Sequence, residues 1–162
     1  MKSPLFTALM LVAGTAFIGA CGGNSSQPAE GQAPEGAPGL TVQNARMIMP
    51  AVGGNPGVVY FDLANSSDRN YALRRADIEG AGRTEMHGTM EMSGGEMAMS
   101  ETGQQTVMAG ETFAFEPGGY HLMAFDLSPE LSAGGTTEVT LTVAGGDKFS
   151  FEVPIQNAGD DR

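Results

Sequence analysis

Cysteine is almost missing from this chain of 162 residues: Cys21 is the only one. No disulfide can therefore close within one chain, and no thiolate-based metal site can form in its body. Positive charge is also scarce. Eight Lys and Arg face nineteen Asp and Glu, for a formal net charge of −11, and this excludes nucleic acid as a natural partner. No stretch beyond the N-terminus carries a helical hydrophobic period, which argues against a helical bundle. Histidine is limited to His87 and His121. No motif couples a nucleophile to a base, so an enzyme is not expected.

What is present begins with an export signal. Lys2 supplies a positive start, residues 5–18 are mostly apolar, and Ile18-Gly19-Ala20-Cys21 ends in small residues. The apolar run falls short of the roughly 18 residues of a spanning helix. Residues 1–20 thus read as a leader that is removed, in a pattern resembling the lipobox of bacterial lipoproteins. Cys21 would then be the lipidated first residue, anchoring the protein to a membrane on the periplasmic side of the cell envelope.

Residues 22–39 contain Gly, Pro, Ser, Glu and Gln and no large apolar side chain. They cannot bury enough surface to offset chain entropy. With Cys21 they form a tether whose r.m.s. reach is roughly 20–25 Å. Composition changes at Leu40. From there to residue 157, short β-branched and aromatic runs alternate with Gly, Pro, Asn, Asp and Ser, the pattern of an all-β sandwich or barrel. The expected strands are 40–49, 57–65, 70–78, 83–88, 96–100, 104–108, 111–116, 119–127, 136–144 and 147–155. Residues 158–162 form a short acidic tail. Ala144-Gly145-Gly146-Asp147 reads as a hairpin turn with both glycines at positive φ. The Asn65-Ser66-Ser67 sequence is read as a turn rather than a glycan site.

Residues 86–99, MHGTMEMSGGEMAM, hold five of the eleven methionines, at Met86, Met90, Met92, Met97 and Met99. A core strand would use Val, Ile or Phe, whereas these methionines are interleaved with Gly, Ser, Thr and Glu. The run suits an exposed ribbon. It is compatible with metal binding, with gap-filling or with a sticky binding surface. The second motif is Pro117-Gly118-Gly119-Tyr120-His121-Leu122-Met123. Pro117 and Gly118 fit the central positions of a type II turn. In the strand that follows, a period of two puts His121 and Met123 on one face, and Tyr120, Leu122 and Ala124 on the other.

Both histidines therefore fall in methionine-bearing segments. Imidazole with soft thioether suits Cu(I), whereas zinc would recruit thiolate or carboxylate and calcium would want clustered oxygens. The candidate ligands are His87, Met99, His121 and Met123, with Met97 as the alternative to Met99 and with Met86, Met90 and Met92 as auxiliary donors. An electron-transfer blue-copper site would need a Cys thiolate, and Cys21 lies far away behind the tether.

Residues 85–127, with Glu85-Met86-His87, the ribbon ending at Met99, Ala109-Gly110-Glu111 and the PGGYHLM segment, resemble the periplasmic copper chaperone family usually called PCu(A)C. Its pattern is a His, ten residues, a Met, twenty-one residues, then His-x-Met. Twenty-one residues separate Met99 from His121 here, but eleven separate His87 from Met99. An extra residue in the Ser93-Gly94-Gly95 turn would absorb the difference, or Met97 would replace Met99. Weaker similarity extends to Ala45-Arg46, to Tyr60 through Asn65 and to the terminal hairpin. The resemblance implies a cupredoxin-like Greek-key sandwich and one Cu(I) held by two His and two Met. It also implies delivery to a copper-accepting protein, such as a cytochrome oxidase subunit with its dinuclear copper centre, or another copper chaperone. A monomer is expected. Met-rich copper or silver storage or resistance is the alternative function.

Overall fold

The computed structural model describes residues 37–91, 95 and 97–160, with 90 and 91 as backbone. Every regular element among them is a strand: β1 (Leu40–Ile48), β2 (Gly57–Asn65), β3 (Tyr71–Ile78), β4 (Ala81–Glu91), β5 (Met97–Glu101), β6 (Gln105–Val107), β7 (Thr112–Phe115), β8 (His121–Leu127), β9 (Thr136–Val143) and β10 (Lys148–Gln156). All ten expected strands are present, and β4 runs three residues further than its sequence suggests. The leader, Cys21, most of the tether and Met92 lie outside the described residues. Ala37, assigned to the tether by composition, is fully buried, and Pro38 accepts a 2.6 Å hydrogen bond from the Tyr71 hydroxyl. The packed body thus begins a few residues before Leu40.

Hydrogen bonding follows one path, β5-β4-β8-β2-β1-β10-β9-β3-β6, with β7 paired to β2. Neighbours are antiparallel except β1 and β10, which run parallel over a short stretch and join the two layers. The layers close on each other because each presents an apolar row at period two. Val59, Phe61 and Leu63 of β2 face inward, as do Val139, Leu141 and Val143 of β9. Phe61 stacks on Phe115 at 4.2 Å and meets Phe151 of β10 at 5.2 Å, tying the layers together. Gly145 and Gly146 take φ of 107° and 95°, the left-handed geometry expected for the terminal hairpin.

A bulge in β1 rephases that strand. Leu40 and Val42 are buried at even positions, but Asn44 takes φ 54° and the register with β2 shifts between Gln43 and Arg46. Met47 becomes the buried residue, and Arg46 emerges on the outer face opposite Tyr60.

Asn65 fastens the far end of β2. Its amide donates to the carbonyls of Arg69 at 2.8 Å and Met108 at 3.1 Å, while its oxygen accepts from the Ser67 N–H and hydroxyl. The side chain is 2% exposed, so a glycan has no access to it, in line with the turn reading. Asn65→Ala should strand several of these buried groups and lower stability by about 2–3 kcal/mol, read from urea denaturation midpoints. A loss under about 0.5 kcal/mol would show that water replaces the network.

Candidate metal centre

The turn at residues 116–119 has the expected form: Gly118 takes φ 80° and the Gly119 N–H donates to the Glu116 carbonyl at 3.0 Å. It launches β8 with Leu122 and Ala124 buried in the core, so His121 and Met123 take the outer face. On β4 the same alternation buries Met86 and turns Glu85 and His87 outward. β4 and β8 pair with His87 opposite His121 and Glu85 opposite Met123. Residues 34 apart in sequence are thereby brought to adjacent positions on one face.

The two imidazole centroids lie 5.9 Å apart. A metal–imidazole bond of about 2.0–2.1 Å puts an ion roughly 3 Å from each ring centre, so the rings can share one ion lying between them. Met123 is a diagonal neighbour of His87, about 7–8 Å away along this kind of ladder. Tyr60, one strand beyond, flanks His121 with ring centroids 6.3 Å apart, and the Arg46 guanidinium lies 5.0 Å from the Tyr60 ring centre. An open cleft of about 690 Å³ touches Arg83, Glu85 and Glu101 but neither histidine.

β5 adds the remaining sulfurs. It pairs with β4 so that His87 faces Glu101, Thr89 faces Met99 and Glu91 faces Met97. Met99 and Met97 are both exposed, at 59% and 64%. Met99 stands on the other diagonal of His87, at about 7–8 Å, whereas Met97 is two residues further out, at roughly 14 Å. Met99 is thus the nearer sulfur, but it lies on the opposite side of His87 from Met123. In a flat sheet their Cα atoms would be about 16 Å apart. Two thioethers sharing an ion span less, since the sulfur–metal bond is only about 2.3 Å. Beyond His87, however, β4 pairs with β5 alone, and a two-stranded ribbon twists more readily than a sheet.

Met86, an auxiliary donor by its place in the methionine run, instead packs in the core at 8% exposure, on the opposite face of β4 from His87. Parity along the strand decides this, because neighbours on a strand face opposite ways. Met90 is described only as backbone, paired with Ala98.

Glu85 and Arg83 are the residues to which sequence reasoning gave no role. The Glu85 carboxylate accepts from His87 Nε2 at 2.8 Å and pairs through its other oxygen with the Arg83 guanidinium. Arg83 in turn lies over the Phe125 ring at 4.0 Å. The available signal was parity with His87, two residues on. Gly88 is also required: a Cβ there would come within 2.9 Å of Tyr120, whose ring packs on Phe113 beside the site.

His121 is 3% exposed and donates Nδ1–H to the Gly119 carbonyl at 3.1 Å, leaving Nε2 as a lone-pair donor. Burial lowers its pKa below the ordinary 6.5; the Gly119 carbonyl partly opposes this, and the nearby His87 adds to the lowering. The shift favours the neutral ring. Below about pH 6.5 the unfolded chain takes up a proton that the folded chain resists, so this contribution to stability is lost as pH falls. Metal-free protein should therefore lose more stability than its His121→Gln variant between pH 7.5 and 5, read from urea midpoints. Equal losses would show that burial does not oppose protonation of His121.

Similar proteins share this architecture. The copper-bound PCuAC domain from PmoF2 superposes with a TM-score of 0.62 at 15% identity, covering 77% of this chain and 98% of that one. The solution structure of CuI-DR1885 from Deinococcus radiodurans gives 0.56 at 21% identity, covering 85% and 89%. The all-β, cupredoxin-like expectation is met. In sequence, the "Putative lipoprotein Lxx21020" of Leifsonia xyli subsp. xyli is 27% identical over 130 residues, 80% of this chain and 78% of that protein. Residues 40–155 match the LpqE-like family, described as "Putative lipoprotein LpqE-like", and the chain belongs to that family.

Proposed function

We propose that this protein is an extracytoplasmic copper chaperone that binds one Cu(I) through His87, His121, Met123 and Met99 and passes it to an acceptor without catalytic turnover. The observation that carries this reading is the cross-strand pair of imidazoles with a thioether on the adjacent diagonal of the β4–β8 ladder. Neutral nitrogen and sulfur donors match a soft monovalent ion. The superposable domain from PmoF2 is copper-bound and DR1885 holds Cu(I), which supports the same cargo here. Membership of a lipoprotein family supports lipidation at Cys21 and tethering to a membrane of the cell envelope. An acceptor such as a cytochrome oxidase subunit, or a second copper chaperone, would take the ion by ligand exchange. Exposure of Met99 would leave the β5 side of the ion open to the incoming ligand.

Because Met99 and Met123 lie on opposite diagonals of His87, closing all four donors on one ion requires the β4–β5 ribbon to curl toward β8. Loading should slow amide exchange in Met97–Glu101 and leave β9 unchanged. Storage of several ions by the methionine ribbon is the competing reading, and stoichiometry separates the two.

In competition with a Cu(I) chelator, one ion per chain should bind. The double variant His121→Ala/Met123→Ala should weaken it by more than about 100-fold, Met99→Ala by roughly tenfold and Met97→Ala by less than about threefold. Unchanged affinity in the double variant would contradict the chaperone assignment, and three or more equivalent ions would favour storage.

A further inference from the structure

We infer that Glu85 is a positioning residue that fixes which nitrogen of His87 meets the metal, so that the two histidines of the site coordinate through unlike atoms. The inference rests on the copper reading above and deepens it. A carboxylate and a backbone carbonyl can only accept hydrogen bonds. The nitrogen facing each of them must therefore carry the proton. For His87 that nitrogen is Nε2, 2.8 Å from Glu85 Oε2; for His121 it is Nδ1, 3.1 Å from the Gly119 carbonyl. The lone pairs left for Cu(I) are Nδ1 of His87 and Nε2 of His121.

The carboxylate is well placed to hold this choice. Glu85 and His87 have side chains only 19% and 16% exposed, so their hydrogen bond is shielded from competing water. The other Glu85 oxygen is taken by Arg83, whose guanidinium rests on Phe125. That clamp also matters for ion selection. Glu85 stands directly opposite Met123 on the ligand face, where a free carboxylate would offer a hard oxygen to a divalent ion. Engaged by Arg83 on one side and His87 on the other, it stays outside the donor set and leaves that set neutral. A carboxylate partner of this kind fixes the tautomer and ring orientation of a ligating imidazole.

The test is a two-bond 15N–1H correlation spectrum of the histidine rings in 15N-labelled protein, without metal and with one equivalent of Cu(I) under anaerobic conditions. Without metal, His87 should give the Nε2–H pattern and His121 the Nδ1–H pattern. On loading, His87 Nδ1 and His121 Nε2 should shift while the His87 Nε2–H persists. Glu85→Gln has one oxygen for two donors; with that oxygen on Arg83 its NH2 would face His87 Nε2, so it should shift the His87 tautomer toward Nδ1–H. Glu85→Ala should mix the His87 tautomers and weaken Cu(I) binding by about tenfold while the amide spectrum remains folded. A shift at His87 Nε2 with loss of its proton would overturn the inference and leave the copper site standing. A His87 ring unmoved while His121 responds would remove His87 from the site and the inference with it. If neither ring responds, the copper reading itself fails.

Discussion

The pairing of β4 with β8, in the register that sets His87 against His121, is the constraint on which the rest of the site depends. Each strand alone offers one imidazole at period two. Only the ladder between them makes two donors face one point, and a slip by one residue would send one histidine into the core. The register is secured from the inward face. Leu122 and Ala124 of β8 and Met86 of β4 are buried, so moving either strand would expose apolar surface. Burial of one face thus fixes chemistry on the other.

The polar side chains on that outer face hold one another in place. Glu85, the carboxylate nearest the histidines, is divided between Arg83 and His87. Burial favours the neutral ring of His121, which a backbone carbonyl orients. Arg46, brought outward by the bulge at Asn44, lies against Tyr60 on the far side of His121. Of the two nearest thioethers, Met99 stands on the exposed edge strand β5 and Met123 is half-buried on β8 within the sheet.

Much of this was legible in the sequence because strand rules are local. The strand over residues 136–144, the paired glycines at 145 and 146 and the Pro117-Gly118 turn each depend on neighbours a few positions away, and each has the expected form. The common face of His121 and Met123 follows from the same local period. What was not legible depends on pairing between distant strands. Met86 looked like a donor until its parity with a buried row was known. Met97 and Met99 share a face, so only the β4–β5 register separates them. Glu85 and Arg83 gained a role only once their side chains met His87 and Phe125, and Arg46 needed a bulge that no single residue announces.

X-ray absorption at the copper edge tests the central claim most directly, because it counts the donors rather than inferring them. For protein loaded with one equivalent of Cu(I), the account predicts a reduced ion with both imidazole-nitrogen and thioether-sulfur scatterers and no carboxylate oxygen in the first shell. A first shell of sulfur alone, or of nitrogen and oxygen without sulfur, would contradict it.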